Sequence, residues 1–327
     1  MSDIAKAIEI LRAGGLVAFP TETVYGLGAD ATNPSGVQRI FEAKGRPSTN
    51  PLIVHVADEA TARGYAATWP PSAARLAQKF WPGPLTLVVM KGRAIVSATT
   101  AGRDTVGLRA PDHPLALELL RGFDGAVAAP SANRSMRISP TTAAHVREEL
   151  GGRVDLILDG GPCRVGIEST VLDLSGMTPT ILRPGTITQA QIEVEIGPVA
   201  LFERSVDANE AARSPGQQRV HYAPRTPTFR FDRSDSEEVA RWLHTNMKET
   251  AAGIFVEDVP HAMRKISFGH ISTLPRAPES YGRRLYGALR EADQSGAQRL
   301  LVEMPPDAPA WAAVRDRLIR ASVPWKA

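Results

Sequence analysis

Two short polar clusters combine residue types that can hold phosphate and an amino acid. The first is Lys44-Gly45-Arg46, followed by Asn50 and His55, and the second is Ser131-Ala132-Asn133, followed by Ser139. Fixed cations, hydroxyls and an amide at the ends of apolar runs are suited to binding a polyanion together with a small zwitterion. The sequence therefore indicates an enzyme that activates a substrate with a nucleotide.

The first cluster has two explanations from its local sequence. In Lys44-Gly45-Arg46-Pro47 two cations flank a glycine just after a predicted helix, and glycine lets the backbone approach a bound group closely. A phosphate chain is the ligand that suits this arrangement. The alternative is a solvated helix end, where Lys and Arg complement the helix dipole.

The other polar stretches are equally open to two explanations. Ser131 and Asn133 follow Pro130, which ends the buried strand run Ala128-Ala129, so a hydroxyl and an amide are presented at the sheet edge. They suit phosphate or ribose binding, but they also suit an ordinary turn. The stretch Pro20-Thr21-Glu22-Thr23-Val24-Tyr25-Gly26-Leu27-Gly28 leaves the same choice between a binding loop and a plain reversal.

Two ionisable residues lie in apolar, strand-like runs. Arg109, in Val106-Gly107-Leu108-Arg109-Ala110-Pro111, needs a carboxylate or phosphate partner because unpaired burial of a guanidinium is costly. The alternative partner is an internal Asp or Glu in a structural salt bridge. His55 stands among Leu52, Ile53 and Val56, where a histidine is usually a satisfied core residue.

Bulk composition limits the class of protein. A chain of 327 residues predicts two domains, and 43% hydrophobic with 22% charged residues is typical of a globular protein with a full core. The net charge of +3 favours anionic ligands without proving nucleic-acid binding. The N-terminus lacks a signal-peptide pattern and no run approaches the about 20 apolar residues of a membrane span, so we expect a cytoplasmic protein without a membrane partner.

Several familiar catalytic motifs are absent from the sequence. It contains no Walker phosphate loop, no dinucleotide fingerprint, no zinc-protease helix and no nucleophile elbow. Cys163 is the only cysteine, so an intrachain disulfide and a cysteine-rich zinc site are excluded, and a buried inert thiol is favoured over a nucleophile. Use of ATP here would have to proceed without a Walker motif, and no motif indicates covalent catalysis.

Hydrophobic periodicity predicts a mixed α/β first domain. Ile4, Ala7, Ile8 and Leu11 recur at helical spacing, and Gly14-Gly15 ends that helix before the strand run 16–19. The further predicted strands are 52–56, 85–90, 126–129, 154–158 and 169–174, and the further helices lie at 34–43, 72–80, 114–120 and 142–150.

The hydrophobic pattern of the chain changes near Leu201. Residues 205–225 are polar, contain Ser214-Pro215-Gly216 and show no periodicity, which indicates a linker. Beyond it, strands at 228–231, 253–256 and 299–303 alternate with helices at 237–246, 279–292 and 310–321, a pattern typical of a small, mostly parallel sheet. We therefore predict a first domain at 1–200, a linker at 201–227 and a C-terminal α/β domain at 228–327.

An ordered series of motifs over Ile4 to Ile196 resembles the YrdC-like threonylcarbamoyl-AMP synthases. The motifs are Pro20-Thr21-Glu22-Thr23-Val24-Tyr25-Gly26-Leu27, Lys44-Gly45-Arg46-Pro47, Asn50-Pro51-Leu52, Trp81-Pro82-Gly83-Pro84-Leu85-Thr86, Arg109-Ala110-Pro111, Pro130-Ser131-Ala132-Asn133, Glu168-Ser169-Thr170-Val171 and Leu182-Arg183-Pro184-Gly185. Any one of them is weak evidence, whereas the ordered series is specific.

The resemblance extends to the long, two-domain form of that family. Residues 214–224, which end in His221-Tyr222-Ala223-Pro224, resemble its linker, and Tyr281 to Arg290 with Leu301-Val302-Glu303 resemble its C-terminal domain. One departure concerns the linker: Gln217-Gln218-Arg219-Val220 stands where the family usually has Met-Lys-Tyr-Arg. A phosphate contact from that segment would depend on Arg219.

The resemblance implies both a fold and a reaction. The fold is a YrdC-like mixed-sheet catalytic domain followed by a smaller Rossmann-like α/β domain with a mostly parallel sheet. The reaction is that of a nucleotidyltransferase, L-threonylcarbamoyladenylate synthase, which uses L-threonine, bicarbonate and ATP for threonylcarbamoyl modification of adenosine in tRNA. Mg²⁺ is expected with ATP, held by phosphate oxygens and water rather than by protein ligands. Candidate partners are tRNA and the proteins that transfer the threonylcarbamoyl group.

Individual roles also follow from the resemblance. Lys44 and Arg46 are the implied catalytic clamp on the phosphates. The threonine pocket comprises Thr23, His55, Arg109 for the carboxylate, the Ala129 backbone and Ser169. The nucleotide contacts are Lys44, Arg46, Asn50, Thr105, Ser131, Asn133, Ser139, Arg183 and Tyr222. Because Tyr222 lies in the linker, we expect the linker to close over the first domain as a lid and exclude water.

Two other functions remain open at this stage. Lys91, Arg93, Arg103, Arg134 and Arg137 are the cations expected of a nucleic-acid-binding module, whose affinity would fall steeply with salt. A nucleotide-sensing relative without synthase activity would bind ATP without releasing pyrophosphate. ATP consumption that depends on threonine and bicarbonate separates both from a synthase.

Overall fold

The chain folds into two compact units. The computed structural model describes residues 2–202, 213–216, 218, 220–246 and 250–326. The first unit comprises Met1–Ser135 and Ser139–Arg219, and the second comprises Met136–Ile138 and Val220–Ala327. Much of the predicted linker, residues 203–212, 217 and 219, lies outside the described residues, so the predicted role of Arg219 and the boundaries at 201 and 227 stay predictions.

The first unit contains seven α-helices and ten strands among its described residues. The helices are α1 (Asp3–Arg12), α2 (Pro34–Lys44), α3 (Glu59–Gly64), α4 (Pro71–Phe80), α5 (Pro114–Phe123), α6 (Ala143–Leu150) and α7 (Gln189–Ile196). The strands are β1 (Val17–Phe19), β2 (Gly26–Asp30), β3 (Ile53–His55), β4 (Leu85–Met90), β5 (Thr105–Arg109), β6 (Val127–Ala128), β7 (Leu156–Ile157), β8 (Thr170–Asp173), β9 (Thr180–Arg183) and β10 (Ala200–Leu201).

The strands of the first unit form one mixed sheet. Their order is β10-β9-β8-β4-β5-β3-β6-β2-β1-β7. The pairs β3/β5, β4/β8, β1/β7 and β9/β10 are parallel, and the remaining pairs are antiparallel. This sheet confirms the predicted mixed-sheet architecture.

The two faces of this sheet have different roles, because successive strand residues point to opposite faces. Val54 of β3, Leu87 of β4 and Leu108 of β5 are buried in the main hydrophobic core. Their neighbours in sequence occupy the other face, where Ile53 and Val88 belong to a separate, smaller apolar cluster. His55, Thr86 and Arg109 follow this second set by the same alternation, so three polar side chains share one face of adjacent strands.

The end of α2 positions the first polar cluster. Asn33 begins the helix by accepting the backbone N–H groups of Ser35 and Gly36 on its side chain. Gly45 ends it in the left-handed region with φ of 60°, which favours glycine. The reversal sends Arg46 away from the helix axis while Lys44 stays on its last turn.

One prediction about the segment after β1 was wrong. Residues 26–28 are not a loop or a reversal, because β2 pairs antiparallel with β1 in the register Phe19↔Gly26. Glycine is needed there for close packing, since a Cβ on Gly28 would lie 2.8 Å from both Phe19 Cε1 and Val127 Cγ1. The binding-loop alternative is thereby confined to residues 20–25.

The second unit is a parallel α/β domain. Its helices are α8 (Ser236–Asn246), α9 (Pro278–Gln294) and α10 (Ala312–Ala321), and its strands are β11 (Thr228–Phe231), β12 (Ala251–Val256), β13 (Phe268–Leu274), β14 (Arg299–Glu303) and β15 (Val323–Pro324). The strand order is β13-β12-β14-β11-β15, and every pair is parallel. The predicted parallel sheet is confirmed, although the sequence did not indicate β13. No helix within the described ranges is both long and apolar enough to span a membrane.

Candidate functional site

Arg109 is held by three groups at the end of β5. Its Nε donates to the Gly83 carbonyl at 3.2 Å, and its Nη2 donates to Thr23 Oγ1 at 2.9 Å. Nη2 also lies 2.8 Å from Glu22 Oε1, and both side chains of this ion pair are buried. The predicted alternative of an internal carboxylate partner is therefore present in the structure. These contacts use Nε and Nη2, and none of them uses Nη1.

His55 lies next to Arg109 in the parallel register of β3 and β5. Burial, and then the charge of Arg109, lowers the pKa of His55 to about 3, so the imidazole is neutral. Its Nδ1 is buried and has no hydrogen-bond partner among the described residues. His55 is therefore not the fully satisfied core histidine that its apolar neighbours suggested.

Ser169 lies at the centre of a second hydrogen-bonded group. Its hydroxyl is 2.8 Å from Thr86 Oγ1 on β4 and accepts from Arg183 Nη2 at 3.1 Å. Two nitrogens of Arg183 also bond the Ser169 carbonyl, at 3.0 and 3.1 Å, while Nη1 donates to Pro215 O. The structure thus joins a residue predicted to bind threonine to one predicted to bind ATP.

Lys44 joins the two polar clusters of the sequence. Its buried ammonium donates to Ser131 O at 2.5 Å, to Asn133 O, and to Asn133 Oδ1 at 3.4 Å. Ser131 Oγ in turn donates to Asn133 Oδ1 at 2.6 Å. Burial, and then Arg46, lowers the pKa of Lys44 well below its ordinary value. All three ammonium donors already have acceptors, so a phosphate would have to replace one of them.

Arg46 faces the segment that follows it. Its Nε and Nη2 donate to the carbonyls of Asn50 at 3.2 Å and Pro51 at 3.0 Å. The Asn50 side chain is buried, and both its amide nitrogen and its amide oxygen lack hydrogen-bond partners among the described residues. Pro51 also lines a hollow together with Thr105.

This hollow lies over the polar face of the first sheet. Thr86, Gly107 and Thr105 contribute from β4 and β5, and Ser214-Pro215 covers it from a segment beyond β10. Gly107 leaves room there, because a Cβ would lie 3.1 Å from the Thr86 methyl group. Of the predicted nucleotide residues, Thr105 is thus placed on the same face as Arg109.

The remaining predicted site residues contact other parts of the protein. Ser139 is buried and donates to Glu168 Oε1 at 2.6 Å. The Ala129 N–H bonds to Ile53 O at 2.8 Å, so a ligand contact from this backbone would have to use its carbonyl. Tyr222 belongs to the second unit, where its ring stacks on Tyr286 at 5.8 Å. Its predicted nucleotide contact stays a prediction.

Three polar residues of the site were given no role in the sequence prediction. Glu22 pairs with Arg109, Thr86 bonds Ser169, and Glu168 bonds Ser139. The signal that could have found Thr86 is a lone hydroxyl within the apolar strand 85–90. Glu22 and Glu168 each directly precede a predicted site residue, but only the fold shows which cation or hydroxyl each carboxylate contacts.

The structure also shows where the candidate nucleophile, the nucleic-acid-binding cations and the possible metal ligands lie. Cys163 is buried, and burial raises its pKa to about 12, so the thiol is not an activated nucleophile. Of the cations expected of a nucleic-acid-binding module, Arg137 lies in the second unit and the others lie in the first. In the part of the chain that the structure describes, no group of three metal-ligating side chains comes together.

Comparison with known proteins places both units in one family. A family model described as telomere recombination matches residues 9–185, and a model described as the threonylcarbamoyl-AMP synthase C-terminal domain matches residues 187–323. A threonylcarbamoyl-AMP synthase of Bacillus subtilis is 42% identical over 98% of this chain and 92% of its own length. That of Pyrococcus abyssi is 40% identical over 98% and 94%.

Solved structures give the same match. The crystal structure of Pyrococcus abyssi Sua5 complexed with L-threonine superposes with a TM-score of 0.90 at 39% identity. The alignment covers 98% of this chain and 95% of the other. The similarity therefore includes both the mixed-sheet unit and the parallel unit.

Proposed function

We infer that this chain, which belongs to the threonylcarbamoyl-AMP synthase family, makes threonylcarbamoyl-AMP and pyrophosphate from L-threonine, bicarbonate and ATP. The product is the activated intermediate for threonylcarbamoyl modification of adenosine in tRNA. The inference rests on similarity over almost the whole chain together with a buried polar face that suits these substrates. By reaction type the protein would be a nucleotidyltransferase.

The chemistry requires two anions to meet. Threonine must first become a carbamate, and a carbamate oxygen must then attack the α-phosphorus of ATP. Buried cations can offset the repulsion because charges act more strongly where water is excluded. Arg109, Arg46 and Arg183 are each less than a tenth exposed and are held by hydrogen bonds to carbonyl oxygens. Their fixed positions would supply orientation and charge stabilisation without a covalent enzyme intermediate.

Unpartnered buried atoms carry the proposal most directly. His55 Nδ1 and both amide atoms of Asn50 lack partners within the described residues, and leaving such groups unpaired costs about 1–3 kcal/mol each. A bound amino acid or nucleotide would supply the missing partners. Arg109 Nη1 would bind the threonine carboxylate, and Asn50 would bind ATP, as the resemblance implies.

We also propose the partners that accompany ATP. Mg²⁺ would arrive with the triphosphate, whose oxygens are the ligands that this hard cation prefers. Bound there, it would neutralise phosphate charge. Lys44 would donate to a phosphate oxygen that replaced Ser131 O or Asn133 O, and its positive charge would then lie next to the anion. Transfer of the product to tRNA would then require a further protein.

The lid remains part of this proposal. Tyr222 would reach the nucleotide from the linker, and closure would protect the carbamate and the mixed anhydride from hydrolysis. Removing residues 205–327 should then lower turnover and shorten the lifetime of the intermediate. Unchanged values of both would refute the lid.

The decisive assay supplies purified protein with labelled bicarbonate, L-threonine and ATP. We expect a labelled adenylate and pyrophosphate, both of which disappear when threonine is omitted. ATP binding without pyrophosphate would instead support a nucleotide sensor. Salt-sensitive RNA binding without threonine-dependent turnover would support a nucleic-acid-binding protein.

A further inference from the structure

The carboxylate of Glu22 is the most unusual buried group of the first unit. The side chain is fully buried, and its Oε1 lies 2.8 Å from Arg109 Nη2. Neither carboxylate oxygen has a hydrogen-bond donor in good geometry among the described residues. A buried carboxylate normally accepts several hydrogen bonds, so Oε2 has unused capacity where it is most costly.

The surroundings of Glu22 define its charge environment. Arg109 approaches from β5, and the same Nη2 atom also donates to Thr23 Oγ1 at 2.9 Å. His113, at the start of α5, and Cys163 both interact electrostatically with Glu22, and each has its pKa shifted chiefly by burial. Arg109 is therefore the only permanent cation that these contacts place beside the carboxylate within the described chain.

Resting on the proposed function, we propose that Glu22 Oε2 receives the α-ammonium group of threonine and takes the proton that must leave before the carbamate forms. Glu22 would then be a catalytic residue, and Arg109 would bind both Glu22 and the substrate. The proposal adds a role to the site that substrate binding alone does not include.

The geometry of a zwitterion fits this pair. Nη1 and Nη2 of Arg109 are bonded to the same carbon, and the α-nitrogen of an amino acid is two bonds from its carboxylate carbon. A threonine carboxylate on Nη1 therefore brings its ammonium close to whatever occupies Nη2. That position is taken by Glu22 and Thr23, an acceptor carboxylate and a hydroxyl.

The step balances as written. The ammonium gives one proton to Glu22, and the freed nitrogen lone pair forms a bond to the carbon of bicarbonate. The C–OH bond of bicarbonate breaks, and its hydroxide leaves as water with a second proton from nitrogen. Threonine ammonium and bicarbonate thus become threonine carbamate and water, with one proton on Glu22.

Other nearby groups suit this task less well. His55, with a pKa of about 3, is a weak base at neutral pH. Cys163, with a pKa of about 12, is protonated, and so is Tyr25, whose pKa burial also raises to about 12. Glu22 is the remaining buried carboxylate in contact with Arg109.

The test compares pH profiles of threonylcarbamoyl-AMP formation in the wild type and in Glu22→Gln. Without the carboxylate, reaction must use the free amine already present in solution. For Glu22→Gln, kcat/KM for threonine should therefore rise about tenfold per pH unit from pH 6 to 8, starting about 10²- to 10⁴-fold below wild type. The wild-type profile should be nearly flat over that range.

Two variants serve as controls. Glu22→Asp keeps a carboxylate, so it should retain the flat profile at reduced rate. Glu303→Gln removes another buried carboxylate that is paired with an arginine, in the second unit, and should leave the profile unchanged. A flat profile for Glu22→Gln would overturn the role of Glu22.

The wild type alone provides a test if the variants do not fold. A wild-type kcat/KM that itself rises tenfold per pH unit from pH 6 to 8 is the profile of a reaction without an ionised carboxylate base, and it would overturn the inference. A wild type that releases no threonine-dependent pyrophosphate at any pH would instead refute the proposed function, and this role for Glu22 with it.

Discussion

Replacing Arg109 by lysine tests whether the guanidinium holds threonine. Lysine keeps the positive charge for Glu22 but cannot also donate to Gly83 O and Thr23 Oγ1 while presenting a pair of N–H groups to a carboxylate. The loss should appear in threonine binding, since it removes the Nη1 group that we assign to the substrate carboxylate.

The magnitude follows from the number of contacts. A hydrogen bond to a charged group contributes about 1.5–3 kcal/mol, so losing one such interaction raises KM for threonine about 10- to 150-fold. The Gly83 and Thr23 contacts are also lost, and their loss should lower thermal stability. KM for ATP should change far less, because we propose Arg109 as a threonine contact and not as a nucleotide contact.

The assay is pyrophosphate release at saturating ATP and bicarbonate with varied threonine. Arg39→Lys is the matched control, because Nη2 of Arg39 also pairs with a carboxylate, that of Asp155, but the Arg39 side chain is 42% exposed. An exposed pair contributes about 0–1 kcal/mol, so that variant should keep the wild-type KM. A folded Arg109→Lys protein with unchanged KM for threonine would show that Arg109 serves only its internal ion pair.

Three further predictions concern ionisable groups of the first unit. Because the Lys44 ammonium is buried and donates to Ser131 O and Asn133 O, where a phosphate oxygen could replace an acceptor, Lys44→Met should weaken ATP binding about 10- to 150-fold in titration calorimetry, and an unchanged affinity would contradict the phosphate role. Native Cys163, with a pKa of about 12, should resist thiol reagents at pH 8 and react once the chain is unfolded. His55 has a folded pKa of about 3 against 6.5 unfolded, so the unfolded chain binds the extra proton and stability falls as pH drops below about 6.5. His55 should lower the free energy of unfolding by about 1.4 kcal/mol for each pH unit between about 6.5 and 3. Urea unfolding of His55→Gln should therefore show a smaller dependence of this free energy on pH. An unchanged dependence would contradict the buried, neutral state of His55.

The sequence predicted most of the fold because regularly packed helices and strands keep a regular spacing of hydrophobic residues. The strands 85–90, 228–231 and 299–303 were predicted with the bounds that the structure has. β2 was missed because Gly26-Leu27-Gly28-Ala29 lacks the β-branched residues that indicate a strand. Its glycines serve close packing against Phe19 and Val127, which is a tertiary requirement that local sequence does not report.

The sequence predicted candidate residues for the site but not the hydrogen bonds and ion pairs between them. The ordered motifs predicted roles for Lys44 and Arg109, yet local sequence alone left each with an ordinary structural alternative. The structure shows that the alternatives were not exclusive. Arg109 has an internal carboxylate partner on Nη2, and Nη1 is the group that we propose for the substrate, because a guanidinium has more donors than one carboxylate can use.

The alternation of the central strands explains how one short segment serves both stability and chemistry. In β5, Leu108 is buried in the main core, while Gly107 and Thr105 line the hollow on the opposite face. A shift of one residue in strand register would turn the apolar side chains to the site and the polar ones into the core, so packing on one face fixes the positions of the groups on the other. The hydrophobic core therefore holds Arg109 at the end of its strand before any ligand binds, and this supplies the precision that the proposed meeting of two mutually repelling substrates requires.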